Sequence, residues 1–256
     1  MTLKFNANSH RYWIDGRPVT GVTTLMKGGL PKPALMYWSA KSVAEFVADN
    51  PEQVKAMWEE DNRRKTVEAL KGVPWDKRDE AAARGTEVHA LAADVVHGIE
   101  VVVPPHINGH VEGYASWLDR FAVAPVLTEC SVGNRKHWYA GRFDLIADFG
   151  GYRWMLDVKT SKGVYSDTAI QTDAYRNSEF YVTDDDPDTE LPMPEGIERL
   201  GVLHVTEDGT TLYPLQSDGE PFRDFLHIAW ISKRSKVIDS YLKEPIYELT
   251  DLEIPA

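Results

Sequence analysis

Cysteine is almost missing from this chain: Cys130 is the single one among 256 residues. One thiol excludes an internal disulfide, a four-cysteine zinc site and a cysteine-ligated iron–sulfur cluster, and it suits a reducing compartment. Long hydrophobic runs are also lacking. No stretch approaches the roughly 20 apolar residues that span a bilayer, and the opening MTLKFNANSHRYWIDG lacks the charged-then-apolar order of a signal peptide. The expectation is a soluble, cytoplasmic protein with no membrane partner. Basic residues are scarce beside acidic ones, 28 against 40, for a net charge of −12. That balance excludes a protein that coats nucleic acid through a uniformly positive surface, but it leaves room for a local basic groove. Neither an internal repeat nor a low-complexity tract is present.

What is there can bury a sizeable core: 43% of the residues are hydrophobic, and the length suits one large domain or one domain with a cap. Aromatic and β-branched residues flank Asp15-Gly16, which predicts an N-terminal hairpin, exposed or capping. Helical spacing in ALMYWSAKSVAEFVADN and PEQVKAMWEEDNRRKTVEALKG predicts two cap helices. A third helix, DEAAARGTEVHALAADVVHG, ends at Gly98 in the C′ position, and a fourth runs from Asn108 to Phe121. Strands follow: APVLTECSVG, HWYAGRFDLIADF and YRWMLDVKTS. SDTAIQTDAYRNSEFYV reads as a helix with Ser166 as its N-cap, VTDDDPDTELPMPEG as a loop, IERLGVLHV and TTLYPLQ as a last strand pair, and PFRDFLHIAWISKRSKVIDSYLKE as a terminal helix.

The stretch from Gly141 to Lys162 carries the chemistry. A two-residue turn at Gly150-Gly151 would set Phe149 against Tyr152 and Asp144 against Asp157. Alternation then gathers Phe143, Leu145, Ala147, Phe149, Tyr152, Trp154, Leu156 and Val158 on one wholly apolar face. The other face carries Arg142, Asp144, Ile146 and Asp148 beside Arg153, Met155, Asp157 and Lys159, with Asp148 opposite Arg153 and Arg142 opposite Lys159. Directly opposed carboxylates lie about 4.5–5.5 Å apart at Cβ and repel. Two readings account for such a pair: a surface network neutralised by Arg142 and Lys159, or a hard divalent cation held by converging oxygens. Lys159, two residues beyond Asp157, emerges on the same face. There it could orient an attacking water, help it lose a proton, or stabilise a phosphorane-like transition state.

GRFDLIADF followed by WMLDVKTSK resembles the Gly-x-x-Asp and Asp-x-Lys-Thr signature of the PD-(D/E)XK nucleases, in particular the RecB-like exonucleases. Asp144 matches the first acidic position, Asp157 the second, and Lys159 the lysine. Upstream, RGTEVHAL resembles the Gly-x-x-x-His helix of the RecB type, with Gly85 and His89 matching. Downstream, QTDAY resembles the Gln-x-x-x-Tyr motif through Gln171 and Tyr175. Glu129 matches a frequent family glutamate, a direct or indirect ligand candidate. The likeness covers Arg84 to Tyr175 best, and HRYWIDGRPVTGVTTL looks like the opening hairpin of phage-type members.

The resemblance implies an α/β fold with a restriction-endonuclease-like core, a mixed central sheet flanked by helices, and an N-terminal hairpin with a helical cap. It divides the chain into hairpin and cap over 1–78 and nuclease core over 79–256. It further implies a metal-dependent deoxyribonuclease, an exonuclease acting at DNA ends in recombination, repair or phage replication. His89, Asp144, Asp157 and the backbone carbonyl of Val158 would hold Mg²⁺ or Mn²⁺, while Lys159, Gln171 and Tyr175 complete the catalytic set. Arg142, Lys162, Arg135 and Lys136 are the candidates for binding DNA, single-stranded or with free ends, and a recombination or replication protein is a further candidate partner. For a phage-encoded chain the compartment would be the host cytoplasm. CRISPR-associated relatives carry four cysteines for an iron–sulfur cluster; with only Cys130, that cofactor does not transfer. The alternatives are a catalytically silent nuclease-like module that binds DNA or protein, and a structure-selective endonuclease.

Several signals carry no weight. His106 and His110 have helical metal-pair spacing, but Pro104, Pro105 and Gly109 surround them and they read as loop or surface histidines. DDDPDTE lacks the spacing of a calcium loop, and GGLPKP lacks the lysine-serine ending of a phosphate loop.

Overall fold

The computed structural model describes residues 2–7, 9–59 and 63–244. Three short strands open the chain: β1 (Leu3–Asn6), β2 (Arg11–Ile14) and β3 (Arg17–Gly21). Asp15-Gly16 turns as its sequence predicts, with Ile14 opposite Arg17. The hairpin joins the main sheet. Strand β3 runs parallel to β5 (Tyr139–Phe149), with Thr20 opposite Tyr139 and Gly21 opposite Ala140. Leu3, Ile14 and Val19 share a buried cluster with Ala140, Phe180 and Val182. The β-branched run after Gly21 suggests more strand, yet it forms α1 (Val22–Gly29), whose Val22, Leu25 and Met26 fall on one face and are buried.

Around β5 the sheet takes the form of a fork. The Gly150-Gly151 turn has φ of 59° and 81°, a left-handed pair that glycine adopts without strain, and it joins β5 to β6 (Tyr152–Lys159). Phe149 faces Tyr152 and the ladder continues to Leu145 opposite Leu156, where it ends, one rung short of the expected Asp144–Asp157 pair and three short of Arg142–Lys159. Strand β6 then keeps company with β9 (Ile197–Thr206) on its other side, in parallel, setting Asp157 opposite Val202 and Lys159 opposite His204. Strand β10 (Gly209–Leu215) lies antiparallel outside β9. The second edge of β5 is covered along its length by β4 (Ala124–Asn134), followed by β7 (Phe180–Val182) and β8 (Leu191–Pro192). On the fork side, β3 covers Tyr139 and Ala140, and β6 covers Leu145 to Phe149. Neither ladder covers Gly141 to Asp144.

Both faces of this mixed sheet are buried, so the prediction of one apolar and one charged face needs correcting. Leu145, Ala147, Phe149, Leu156 and Val158 do share a cluster, against Val88 and Ala92 of α4 (Arg63–Val96) and Val111, Tyr114 and Trp117 of α5 (Asn108–Arg120). Ile146 and Met155, on the nominally charged face, belong to a second core with Phe225, Ile228 and Ala229 of α7 (Glu220–Ile238) and Tyr175 of α6 (Thr168–Arg176). Each such side chain contributes about 1.5–3 kcal/mol through burial, which outweighs the tendency of a hairpin to keep one face wet. Phe143 lies in this second core as well. Its expected place beside Leu145 is lost because regular alternation breaks at Asp144. Tyr152, expected in the apolar core, is exposed.

The remaining helices are α2 (Pro33–Asp49) and α3 (Pro51–Glu59). The second predicted cap helix corresponds to α3 and the start of α4, with 60–62 outside the described residues. Helix α4 continues through Pro74, where a break was expected; burial of Val73 and Pro74 offsets the one backbone bond that proline removes. It ends as predicted, with Gly98 at φ 70° and Ile99 N–H donating to the Asp94 carbonyl. Helix α6 is shorter than expected. Asp167, not Ser166, occupies its N-cap position, and Phe180–Val182 is strand. The terminal helix stops at Ile238 and passes into a 3₁₀ turn over Asp239–Tyr241, while the acidic segment beyond Glu244 lies outside the described residues. His110 is buried within α5, where burial lowers its pKa, and is not a surface histidine.

The whole is an α/β arrangement with α1, α6 and α7 on one face of the sheet and α4 and α5 on the other. No helix among the described residues is long and apolar enough to cross a membrane.

Candidate metal centre

The fork in the sheet is where the chemistry collects. At its crotch Asp144 has no ladder partner in either direction, and its Oδ2 accepts a 2.6 Å hydrogen bond from the Val158 backbone N–H. Across β4, Glu129 also drops out of the ladder between Thr128 and Cys130, with φ at 50°. A non-glycine residue in the left-handed region inside a strand is strained, and such strain gathers at functional sites. The two interruptions are opposite each other, so both side chains turn toward the same point. Helix α4 supplies the third group: His89 Nδ1 lies 3.6 Å from Glu129 Oε1 and 3.7 Å from Asp144 Oδ1.

One ligand atom each from His89, Glu129 and Asp144 falls within 4.8 Å of the others, a grouping that could hold a metal ion. One imidazole with two carboxylates fits a hard or borderline divalent cation such as Mg²⁺ or Mn²⁺. Glu129 thus joins the expected His89 and Asp144 as an equal member, whereas Asp157 stands just outside. Its carboxylate is engaged elsewhere, with Lys159 Nζ 2.6 Å from Oδ2 and Gln171 Nε2 donating to Oδ1 at 2.9 Å. Asp157 is 3% exposed, so both contacts compensate a charge taken out of water.

Electrostatics match this crowding. Burial raises the Asp144 carboxyl, and repulsion from Asp157 and Glu129 adds to it against the pull of His89 and Lys159, leaving it at about 7. Burial disfavours the His89 imidazolium, but the carboxylates of Asp144, Glu129 and Asp157 together overcome it and bring the pKa up to about 9. Burial likewise works against the Lys159 ammonium and loses to Asp157 and Asp144, so its pKa is raised. Without an ion, protons on His89 and Lys159 balance the negative charge of the site.

Gln171 reaches Asp157 from one side and the Tyr175 hydroxyl, at 3.2 Å, from the other. Tyr175 is buried. Its ring passes so close to Gly141 that a Cβ there would sit 2.3 Å from a ring carbon. The glycine of the Gly-x-x-Asp motif is therefore the seat of the tyrosine of the Gln-x-x-x-Tyr motif. Tyr175 positions Gln171 and does not face solvent, where a strand of nucleic acid would lie. Gly85 serves a smaller need: a Cβ there would meet Thr160 Oγ1 at 3.3 Å, so it is the end of β6 that approaches.

The basic candidates divide. Arg142 donates to Glu129 Oε2 at 2.8 Å and to both oxygens of Asp184, so it clamps a ligand instead of presenting a free cation. Arg135 is held bidentately by Asp15 and by Glu190 and lies over Phe180, tying the N-terminal turn to β7 and β8. Lys136 and Lys162 are exposed. Two contributors escaped the sequence reading. Lys32 pairs with Asp167 at 2.5 Å beside the start of α6, and Asp184 steadies Arg142. Both couple residues far apart in the chain, and no local spacing marks them.

No protein-family model matches the chain, and no curated protein matches it either. Among solved structures, the crystal structure of SSO0001 aligns with 57% of this chain and 65% of that one, at 16% identity and a TM-score of 0.29. This chain thus spans less than two thirds of that protein, and a likeness of this level carries no argument.

Proposed function

We propose that this chain is a divalent-metal-dependent deoxyribonuclease with a restriction-endonuclease-like core of the PD-(D/E)XK, RecB-like type, an exonuclease hydrolysing phosphodiester bonds at DNA ends. The observation that carries the reading is the convergence of His89, Glu129 and Asp144 on one point within 4.8 Å, with the Lys159–Asp157 pair alongside. These residues come from three motifs and the separate Glu129 strand, spread over some seventy positions of chain. When bound, Mg²⁺ or Mn²⁺ would supply charge to a phosphate oxygen and acidity to a water.

The chain's own groups have separate tasks. Arg142 holds Glu129 in place, the Val158 N–H holds Asp144, and Gln171 holds Asp157. Lys159, paired with Asp157 alongside the trio, would offset the charge that builds during attack and position the water. Removing one such donor costs about 10²–10³ in rate. The activity would serve recombination, repair or phage replication.

End-labelled single- and double-stranded DNA tests the reading. Purified protein should release short products with Mn²⁺ or Mg²⁺, none in excess EDTA, and the Asp144→Ala and Lys159→Ala proteins should be nearly inert. Undiminished cleavage by either variant defeats the proposal. A silent binding module is the competing reading, favoured by one feature: Asp157 is paired with Lys159 and is not one of the three converging groups. Titration calorimetry separates the two, because a silent module gives no heat with Mn²⁺.

A further inference from the structure

We infer that Tyr114 is a further positioning residue of the metal centre: its hydroxyl holds a water of the bound divalent cation on the core side of His89, Glu129 and Asp144. Helix α5 accounts for the ring of this tyrosine but not for its oxygen. His110, Val111, Tyr114, Trp117 and Leu118 are the buried residues of α5 and recur at helical spacing, so a phenylalanine at 114 would fill the stripe equally well.

The hydroxyl is what the packing leaves over. Tyr114 is 2% exposed, and among the described residues its oxygen has no hydrogen-bond partner. Other buried tyrosines do have one: Tyr139 donates to the Ala174 carbonyl at 2.8 Å, and the Tyr175 hydroxyl accepts from Gln171 at 3.2 Å. A hydroxyl taken out of water without a partner costs free energy, and buried polar groups that the chain does not satisfy are met by water or by an ion.

A cavity of about 10 Å³, room for one water-sized occupant, supplies the place: Tyr114 lines it together with His89, Glu129 and Asp144. Its remaining polar side chain, Thr128, already bonds His97 Nε2 at 2.8 Å, and the rest of the wall is apolar, including Ala92, Leu145 and Val158. Each carboxylate of the trio is half used. Glu129 Oε2 accepts from Arg142 and Asp144 Oδ2 from the Val158 N–H, while Oε1 and Oδ1 are the oxygens nearest His89. Tyr114 therefore brings the one neutral, unengaged hydroxyl to this cavity. Burial raises its pKa and the charges of Asp144 and Glu129 raise it further, so the phenol keeps its proton beside them. Such a phenol can accept a hydrogen bond from water and donate its own to a carboxylate oxygen. A cation such as Mg²⁺, given few protein ligands, keeps several waters, and groups that hold the surroundings of a metal in place are worth about 10–100-fold in its affinity.

The inference rests on the metal-dependent reading of the site, and its test needs no DNA cleavage. Titration calorimetry with Mn²⁺ compares the wild type with Tyr114→Phe, which keeps the ring and removes only the hydroxyl. Tyr114→Phe should bind Mn²⁺ about 10–100-fold more weakly. In EDTA it should melt at or above the wild-type temperature, because the metal-free fold loses only an unpaired hydroxyl. Mn²⁺ should also shift the near-ultraviolet tyrosine absorption of the wild type, and Tyr114→Phe should remove most of that difference signal, a readout that ring packing does not move. Equal Mn²⁺ affinity in the two proteins overturns the role of Tyr114 and leaves the trio standing. So does a weaker affinity matched by a clear fall in melting temperature in EDTA, which would trace the effect to folding. A wild type that takes up no Mn²⁺ removes the metal centre itself and the role of Tyr114 with it. Mn²⁺ binding that depends on Tyr114 in a protein that never cuts DNA supports the inference and sinks the nuclease reading.

Discussion

The Val158 N–H donates to Asp144 Oδ2 at 2.6 Å, so a side chain stands where the next rung of the β5–β6 ladder would be. Asp144 therefore has two tasks. One oxygen closes the backbone of the fork, and the other, Oδ1, faces His89. A substitution can separate the two.

Asp144→Asn keeps an oxygen acceptor for Val158 but has no charge to offer a cation. Because the fold holds the Asp144 carboxyl at about 7 against an ordinary 3.8, ionisation at pH 8 opposes folding. The variant should melt at or above the wild-type temperature in EDTA at pH 8 and show no Mn²⁺ heat by calorimetry. Asp144→Ala leaves the buried N–H unpaired and should lose about 1–3 kcal/mol relative to the asparagine variant. A marked destabilisation by the asparagine would refute this division of labour.

Protons and the metal ion should compete. His89, raised from 6.5 to about 9, stabilises the metal-free fold fully below 6.5, and that contribution disappears as pH rises through 9. Asp144 adds stability below 3.8 that is lost as pH rises through 7. Both act in the same direction, so thermal melts in EDTA should fall steadily from pH 6 to 9. Mn²⁺ affinity should climb over the same interval, since binding releases those protons. Calorimetric affinities that do not vary with pH would contradict the trio as the binding site.

Arg142 and Lys162 should differ in salt dependence. Arg142 is occupied by Glu129 and Asp184, whereas Lys162 is exposed. Lys162→Ala should reduce the slope of log K against log salt for DNA binding by about 1. Arg142→Gln should leave the slope unchanged and instead weaken Mn²⁺ binding, because Glu129 is no longer held. Anisotropy titrations at several salt concentrations decide it; an equal drop in slope for both would return Arg142 to the DNA surface.

Gly141→Ala should be costly despite its small size. The added methyl would meet the Tyr175 ring at 2.3 Å, and overpacking of this kind costs about 1–3 kcal/mol. Displacement of Tyr175 should also disturb Gln171 and hence Asp157, lowering activity more than stability alone explains. Urea unfolding and single-turnover cleavage would show whether the two losses occur together.

Local pattern was enough to read some of this from the sequence. Asp15-Gly16 and Gly150-Gly151 mark their turns because those φ values admit few residues, and the Leu145 to Phe149 register follows from the second turn. His89 and Asp144 were legible as ligand candidates through their motifs, and the trio includes both. The failures share a cause. Ile146 and Met155 look solvent-facing until α6 and α7 cover them. Asp157, matched to the second acidic position, has its carboxylate paired with Lys159 and Gln171, partners its motif does not show. Glu129 gains its standing from a backbone twist at φ 50°, which no spacing announces. Arg142 and Arg135 look like free cations because their partners Asp184, Asp15 and Glu190 lie tens of residues away.

The parallel pairing of β3 with β5 has a consequence in time. Thr20 meets Tyr139, 119 positions later in the chain. At ribosomal rates of about 5–20 residues per second, the opening hairpin is exposed for roughly 6–24 seconds before its partner has even been made. Through that interval Ile14 and Val19 have neither Ala140 nor Phe180 to cover them, and β3 offers an unpaired edge to any neighbouring chain. Newborn chains crowded on one message are therefore most vulnerable to sticking together at β1 to β3, and slower translation should worsen the yield.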